Sequence, residues 1–136
     1  MHAMRDLGEP IFVDTSGLYA VLDAGDVLHD RAGKAWPRWV DQDVPLVTTN
    51  YVVLEATALL RNRLGIDAVK SLHRAMVPML QVEWVTRPIH EAGVNRLLRA
   101  QRRRLSLVDC TSFDIMDILE LHNTFSFDVG PQTPLH

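Results

Sequence analysis

Ile11-Phe12-Val13-Asp14-Thr15-Ser16-Gly17-Leu18-Tyr19-Ala20 is the stretch that decides the fold. Ile11 to Val13 is a compact apolar run with β-branched residues, which marks a short strand buried on both faces. Asp14 ends the run, and Thr15 or Ser16 can cap a short helix reaching about Leu22. A buried strand that passes at once into a helix is the unit from which parallel α/β sheets are assembled.

The unit recurs along the chain. Leu46 to Thr48 reads as a second strand, and Asn50 caps a helix to about Leu64, closed by Gly65. Before it, His29 to Val40 carries Ala32, Ala35, Trp36 and Trp39 at helical spacing, with Pro37 expected to bend or split the helix. Asp67 opens a helix to about Met79, and Val82 to Val85 is a third strand. Ile89 to Arg103 and Ser106 to Leu121 are helices, and Phe125 to Phe127 is a last short strand. Strands alternating with helices imply parallel pairing through right-handed crossovers, with helices on both faces. The expected fold class is α/β: a three-layer α/β/α sandwich around a central, mainly parallel sheet. Its expected extent is residues 10–128, between a leader (1–9) and a tail (129–136).

A chain of 136 residues, 47% hydrophobic and 23% charged, has the make-up of one ordinary globular domain. No stretch approaches the ~20 apolar residues that cross a bilayer. Met1 to Pro10 lacks a basic region followed by an apolar core, so no secretory signal is expected. The single cysteine, Cys110, rules out an internal disulfide and suits a reducing cytoplasm, the expected location. Packing as a small buried apolar residue is preferred for it over a nucleophile's role. The net charge of -3 argues against coating nucleic acid through bulk electrostatics. A nuclease remains open, because negative charge can concentrate where a metal binds. Arg96, Arg99, Arg102, Arg103 and Arg104 lie within nine positions. Such a run can hold a phosphate backbone, or form the solvated end of a helix whose arginines complement the dipole.

Four acids stand in apolar contexts. Asp14 follows Ile11-Phe12-Val13, and Glu55 interrupts Val52-Val53-Leu54 and Ala56. Asp109 follows Leu107-Val108, and Asp128 follows Phe125-Ser126-Phe127. Carboxylates are expensive to desolvate and need a compensating charge or open water. A shared divalent cation supplies that charge, which points to a metal-dependent enzyme acting on phosphate esters. Polar ligands of α/β sheets gather at the carboxyl ends of strands, and Asp14 and Asp128 both follow predicted strands. At about 100° per residue, Glu55 borders the apolar stripe of Val52, Ala56, Leu59 and Leu60. Asp109 shares the face of Phe113 and Met116 in the first turn of its helix, where an anion meets the favourable end of the dipole. Taken singly, Glu55 reads equally as an edge-of-core glutamate and Asp109 as a helix cap. Oxygen donors alone suit Mg2+ or Mn2+, and no histidine pair or CxxC spacing indicates zinc. His29, His73, His90 and His122 are scattered and read as exposed or structural. Asp114 and Asp117, about 140° and 80° round the helix from Asp109, are expected to face solvent.

Four segments carry a resemblance. Ile11 to Ala20, Val47-Thr48-Thr49-Asn50-Tyr51-Val52-Val53-Leu54-Glu55-Ala56, Leu105-Ser106-Leu107-Val108-Asp109-Cys110-Thr111-Ser112-Phe113, and Phe125-Ser126-Phe127-Asp128 resemble the signature segments of PIN domains. They most resemble those of the VapC-like ribonuclease toxins of bacterial toxin–antitoxin pairs. The likeness covers roughly residues 10–128, in the family's order. It implies an Mg2+- or Mn2+-dependent endoribonuclease whose acidic cluster is Asp14, Glu55, Asp109 and Asp128, with Asp14, Asp109 and Asp128 as metal ligands. It further implies that Ser16 orients a water on the metal or a nearby carboxylate, a role compatible with capping. Ser112 either supports the site or packs. Arg99, Arg102, Arg103 and Arg104 are the candidates for holding RNA. A cognate antitoxin and a homodimer, formed on a helix such as 51–64 or 66–79, are implied as partners, and no membrane.

The chain departs from the family after Asp128. The toxins usually continue with a His-Phe-like element and an edge strand, whereas Val129-Gly130-Pro131-Gln132-Thr133-Pro134-Leu135-His136 suits a tail. That departure keeps open a PIN-like RNA-binding or protein-interaction module without turnover. A third class, a haloacid-dehalogenase-like phosphohydrolase with Asp14 as nucleophile, wants a second aspartate where Ser16 stands.

Overall fold

Four short strands, β1 (Ile11–Val13), β2 (Leu46–Thr49), β3 (Gln81–Glu83) and β4 (Asn123–Phe125), form one sheet in the order β3-β2-β1-β4. Every neighbouring pair is parallel. The computed structural model describes residues 8–127. Parallel strands need crossovers, and helices fill them: α1 (Thr15–Leu22) and α2 (His29–Asp41) join β1 to β2. Between β2 and β3 lie α3 (Asn50–Arg63), α4 (Ile66–Ser71), a π turn (Leu72–Met76) and a 3-10 turn (Val77–Met79). Next, α5 (Arg87–Arg99) and α6 (Leu107–Leu119) return the chain to β4, on the far side of β1. The strand order therefore reverses beside β1. With right-handed crossovers, that reversal sends the last two helices to the opposite face of the sheet. The fold is the expected α/β sandwich.

Burial explains the elements. Phe12 and Val13 of β1 pack with Leu18, Val52, Ala56, Leu60, Leu72, Met76, Ile115 and Phe125 in one core. Val52, Ala56 and Leu60 recur at helical spacing, so the inward stripe of α3 is the one its sequence shows.

Several boundaries differ from expectation, each for a local reason. Thr49, rather than Asn50, caps α3: its hydroxyl accepts from the Val52 N–H at 3.1 Å. The Asn50 side chain instead accepts from the Val85 N–H at 2.6 Å, which ends β3 early. Helix α2 runs through Pro37 to Asp41 without splitting, because buried Ala32 and Trp36 anchor it ahead of the proline. The helix after Gly65 starts at Ile66, one residue before Asp67, and β4 begins two residues before the predicted strand. Helix α5 stops at Arg99. The following Ala100-Gln101-Arg102-Arg103-Arg104 offers no large apolar anchor, so Arg102, Arg103 and Arg104 stand on an exposed link instead of a helix end.

Asp114 also corrects its expected exposure. Arg96 of α5 donates to its Oδ1 at 2.7 and 3.1 Å, and the side chain is 15% exposed, against 76% for Asp117. The other oxygen, Oδ2, is buried without a hydrogen-bond partner. Arg96→Ala strands that carboxylate between two helices and is expected to cost about 1–3 kcal/mol, read from the midpoint of urea unfolding.

Candidate functional site

The carboxyl end of β1 is the point where the strand order reverses, and there α/β sheets offer a crevice. Asp14 stands at that end. Its Oδ1 accepts from the Thr15 N–H at 2.8 Å, so Asp14 itself caps α1, and neither Thr15 nor Ser16 does. Its Oδ2 accepts from the Ser126 hydroxyl at 3.3 Å. The neighbouring hydroxyls tie the site together. Thr15 donates to Glu55 Oε1 at 2.6 Å, fixing the α3 glutamate beside the start of α1. Ser16 Oγ accepts from the Phe127 N–H at 2.7 Å and lies 3.2 Å from Ser126 Oγ. Ser16 thus holds the chain leaving β4 instead of capping a helix.

Asp109 enters from α6. The cap of that helix is Ser106, which accepts from the Asp109 N–H at 3.0 Å, while Asp109 Oδ2 accepts from the Ser106 N–H at 3.1 Å. This reciprocal box pins Asp109 in the first turn. Burial pushes the Asp14 carboxyl from its ordinary 3.8 up to about 6; the Thr15 N–H works against the rise, the charge of Asp109 adds to it, Ser126 opposes it and Glu55 adds again. Three acids distant in sequence thus share one electrostatic neighbourhood. Among the described residues, none of them has a lysine or arginine within ion-pairing distance.

Repulsion reaches further than coordination. Among the described residues, no three acidic, histidine or cysteine side chains close on a single point where an ion fits. The hydrogen bonds explain why: Glu55 is turned to Thr15 and Asp109 to Ser106. Asp128, the fourth predicted acid, lies outside the described residues. Phe127, the residue before it, is held by Ser16, by an edge-on contact with Phe125 at 5.1 Å and by the Arg31 guanidinium at 5.8 Å.

The other sequence candidates stand as follows. Ser112 is buried, and its hydroxyl has no hydrogen-bond partner. Arg99, Arg102, Arg103 and Arg104 are exposed. Cys110 is buried, and that burial pushes its thiol up, away from a nucleophile's range. Thr15 was read in the sequence only as a helix cap, and Ser126 was given no role. The available signal was their position, one after the first acid and two before the fourth. His90 has a structural partner, as its reading allowed: its Nδ1 lies 2.6 Å from Tyr51 Oη. His29 and His73 likewise have structural partners, the Ala20 carbonyl and Thr57.

No protein-family model matches the chain. Two curated relatives do, both named 23S rRNA-specific endonuclease VapC20, from the CDC 1551 and H37Rv strains of Mycobacterium tuberculosis. Each is 35% identical over 119 residues, spanning 87% of this chain and 88% of the relative. The crystal structure of Mycobacterium tuberculosis VapC20, described as a sarcin–ricin loop cleaving toxin, superimposes with a TM-score of 0.78 at 32% identity. That match covers 88% of this chain and 91% of the other.

Proposed function

Because the chain belongs to the VapC-like PIN-domain ribonuclease toxins, we propose that it hydrolyses RNA with Mg2+ or Mn2+ held by Asp14, Asp109 and Asp128. The observation that carries this reading is the placement of Asp14 at the carboxyl end of β1, where the strand order reverses, with Glu55 and Asp109 near enough to add their charge to its surroundings. The donor set is all oxygen, the kind these hard cations take, and among the described residues Asp14, Glu55 and Asp109 have no positive partner. Asp128 completes the set in this reading, since the described residues alone do not close it.

The cation, when bound, supplies positive charge to stabilise the phosphate as its P–O bond breaks. The remaining work falls to the chain. Glu55 is exposed and tied by one oxygen to Thr15, so its other oxygen is free to take a proton from an attacking water. Ser126 steadies Asp14, and Ser16 holds the segment that leads to Asp128. Thr15→Val keeps the shape and removes the Glu55 donor. We expect cleavage to fall about 10-fold, the low end for loss of an outer partner to a catalytic carboxylate, with the melting temperature nearly unchanged.

Ribosomal RNA is the proposed substrate class, by analogy with the relatives named for 23S rRNA. A cognate antitoxin segment over the acidic groove, a cytoplasmic location and a homodimer belong to the same proposal. Leu54 on α3 is 69% exposed, and Ile66 and Met79 after it are each 49% exposed, giving that pair of segments apolar surface to cover. No helix among the described residues is long and apolar enough to cross a membrane. The test is RNA cleavage by the wild-type protein with Mg2+, with chelator, and by Asp14→Asn. Cleavage only in the first arm is expected; equal cleavage in all three would discard the reading.

A further inference from the structure

We propose that Trp84 is a stacking platform for an unpaired nucleobase of the bound RNA, one that lies near the scissile phosphate. The inference deepens the ribonuclease reading and rests on it. Trp84 follows β3, an edge strand parallel to the other three, so it stands on the same carboxyl rim as Asp14. Glu83 is in register with Thr49 at the end of β2. Two strand spacings, roughly 10 Å, separate the end of β3 from that of β1.

The indole is 71% exposed, whereas Trp36 is buried and Trp39 packs edge-on against Phe125 at 4.9 Å. An exposed tryptophan is costly to leave in water, and here the backbone under it is fixed. The Val85 N–H donates to Asn50 at 2.6 Å, and Tyr51 Oη meets His90 Nδ1 at 2.6 Å. The first ties the β3–α5 connection, and the second ties α5 itself, to the first turn of α3, the helix that carries Glu55 one turn on from Tyr51. Arg87, three residues on and exposed at the first position of α5, adds a positive charge after the same connection, and the Glu83 carboxylate before it accepts from the Gln81 amide at 2.6 Å. A flat apolar ring on a fixed backbone, on the rim of an acidic site, matches the physics of base stacking, which tolerates any base but needs it unpaired.

The experiment titrates a single-stranded RNA of about ten nucleotides into Asp14→Asn protein in Mg2+, where the RNA stays intact, and follows tryptophan emission. Quenching is expected. Adding Trp84→Ala should abolish the quenching and weaken binding about 5- to 100-fold, whereas adding Trp84→Phe should leave affinity within about 3-fold. Unchanged affinity in the Trp84→Ala protein, or no binding of RNA at all, would overturn the proposal. Cleavage by protein wild-type at position 14 is scored separately. Quenching without cleavage would retain the platform and discard the ribonuclease reading; cleavage with no effect of Trp84→Ala would do the reverse.

Discussion

Asp14→Asn is expected to stabilise the metal-free protein at neutral pH while abolishing RNA cleavage. The carboxyl of Asp14 is raised from 3.8 to about 6 in the folded protein, chiefly by burial. A group that holds its proton more tightly when folded contributes stability below the lower value, and loses it as the pH climbs through that window. By pH 7 the folded protein carries a partly buried, repelled carboxylate at a cost of about 1–3 kcal/mol. Asparagine keeps an acceptor for the Thr15 N–H and carries no charge, so the gain should be of that size at pH 7 and vanish near pH 4. Urea midpoints across that range measure it. The same change removes a proposed ligand, and activity should fall by more than about 100-fold, since even outer partners of metal ligands cost 10- to 100-fold. Mg2+ should shrink the stability difference, because a cation bound to wild-type protein offsets the charge and adds its binding energy to the folded state.

Gly17→Ala should damage the site as well as the fold. A Cβ at that position would stand 2.5 Å from the Phe125 carbonyl oxygen and 2.7 Å from its ring. Backbone cannot move aside as a flexible side chain does, so either α1 or β4 must shift. Overpacking of this kind costs about 1–3 kcal/mol, and the displaced elements are those that place Asp14 and Ser126. Loss of cleavage should therefore exceed what the drop in melting temperature explains. Gly93 is also tight, at 2.7 Å from Thr111 Cγ2, on a buried β-branched side chain whose hydroxyl is held by the Leu107 and Val108 carbonyls. Gly93→Ala should accordingly also cost about 1–3 kcal/mol, by pressing α5 away from α6, which a lowered urea midpoint would show.

The layered architecture was legible where a strand is a short apolar run, as Ile11-Phe12-Val13 is, and where a helix shows its stripe, as Val52, Ala56 and Leu60 do; β3 and β4, with one apolar residue each, were harder to bound. Boundaries were less so. Thr49 and Asn50 are both good capping residues, and only the Val85 N–H, distant in sequence, decides between them. The arginine run read as helical because arginine itself favours helix, whereas the missing apolar anchors after Leu98 decide where α5 ends. For the site, acids in apolar settings identified which carboxylates to consider. The hydroxyls that hold them could not be read the same way: Thr15 and Ser126 look like ordinary turn residues until the sheet brings β4 beside β1. Asp114 misled for a related reason, since helical angle alone cannot show that α5 brings Arg96 against it.

The decisive measurement is Mn2+ binding to the purified protein, followed by the loss of free-ion paramagnetic resonance signal. Saturable binding of one or two ions, abolished by Asp14→Asn and by Asp128→Asn alike, is the predicted result. Wild-type protein that leaves Mn2+ free, or two variants that bind it as well as wild type does, would show that these acids do not meet around a cation.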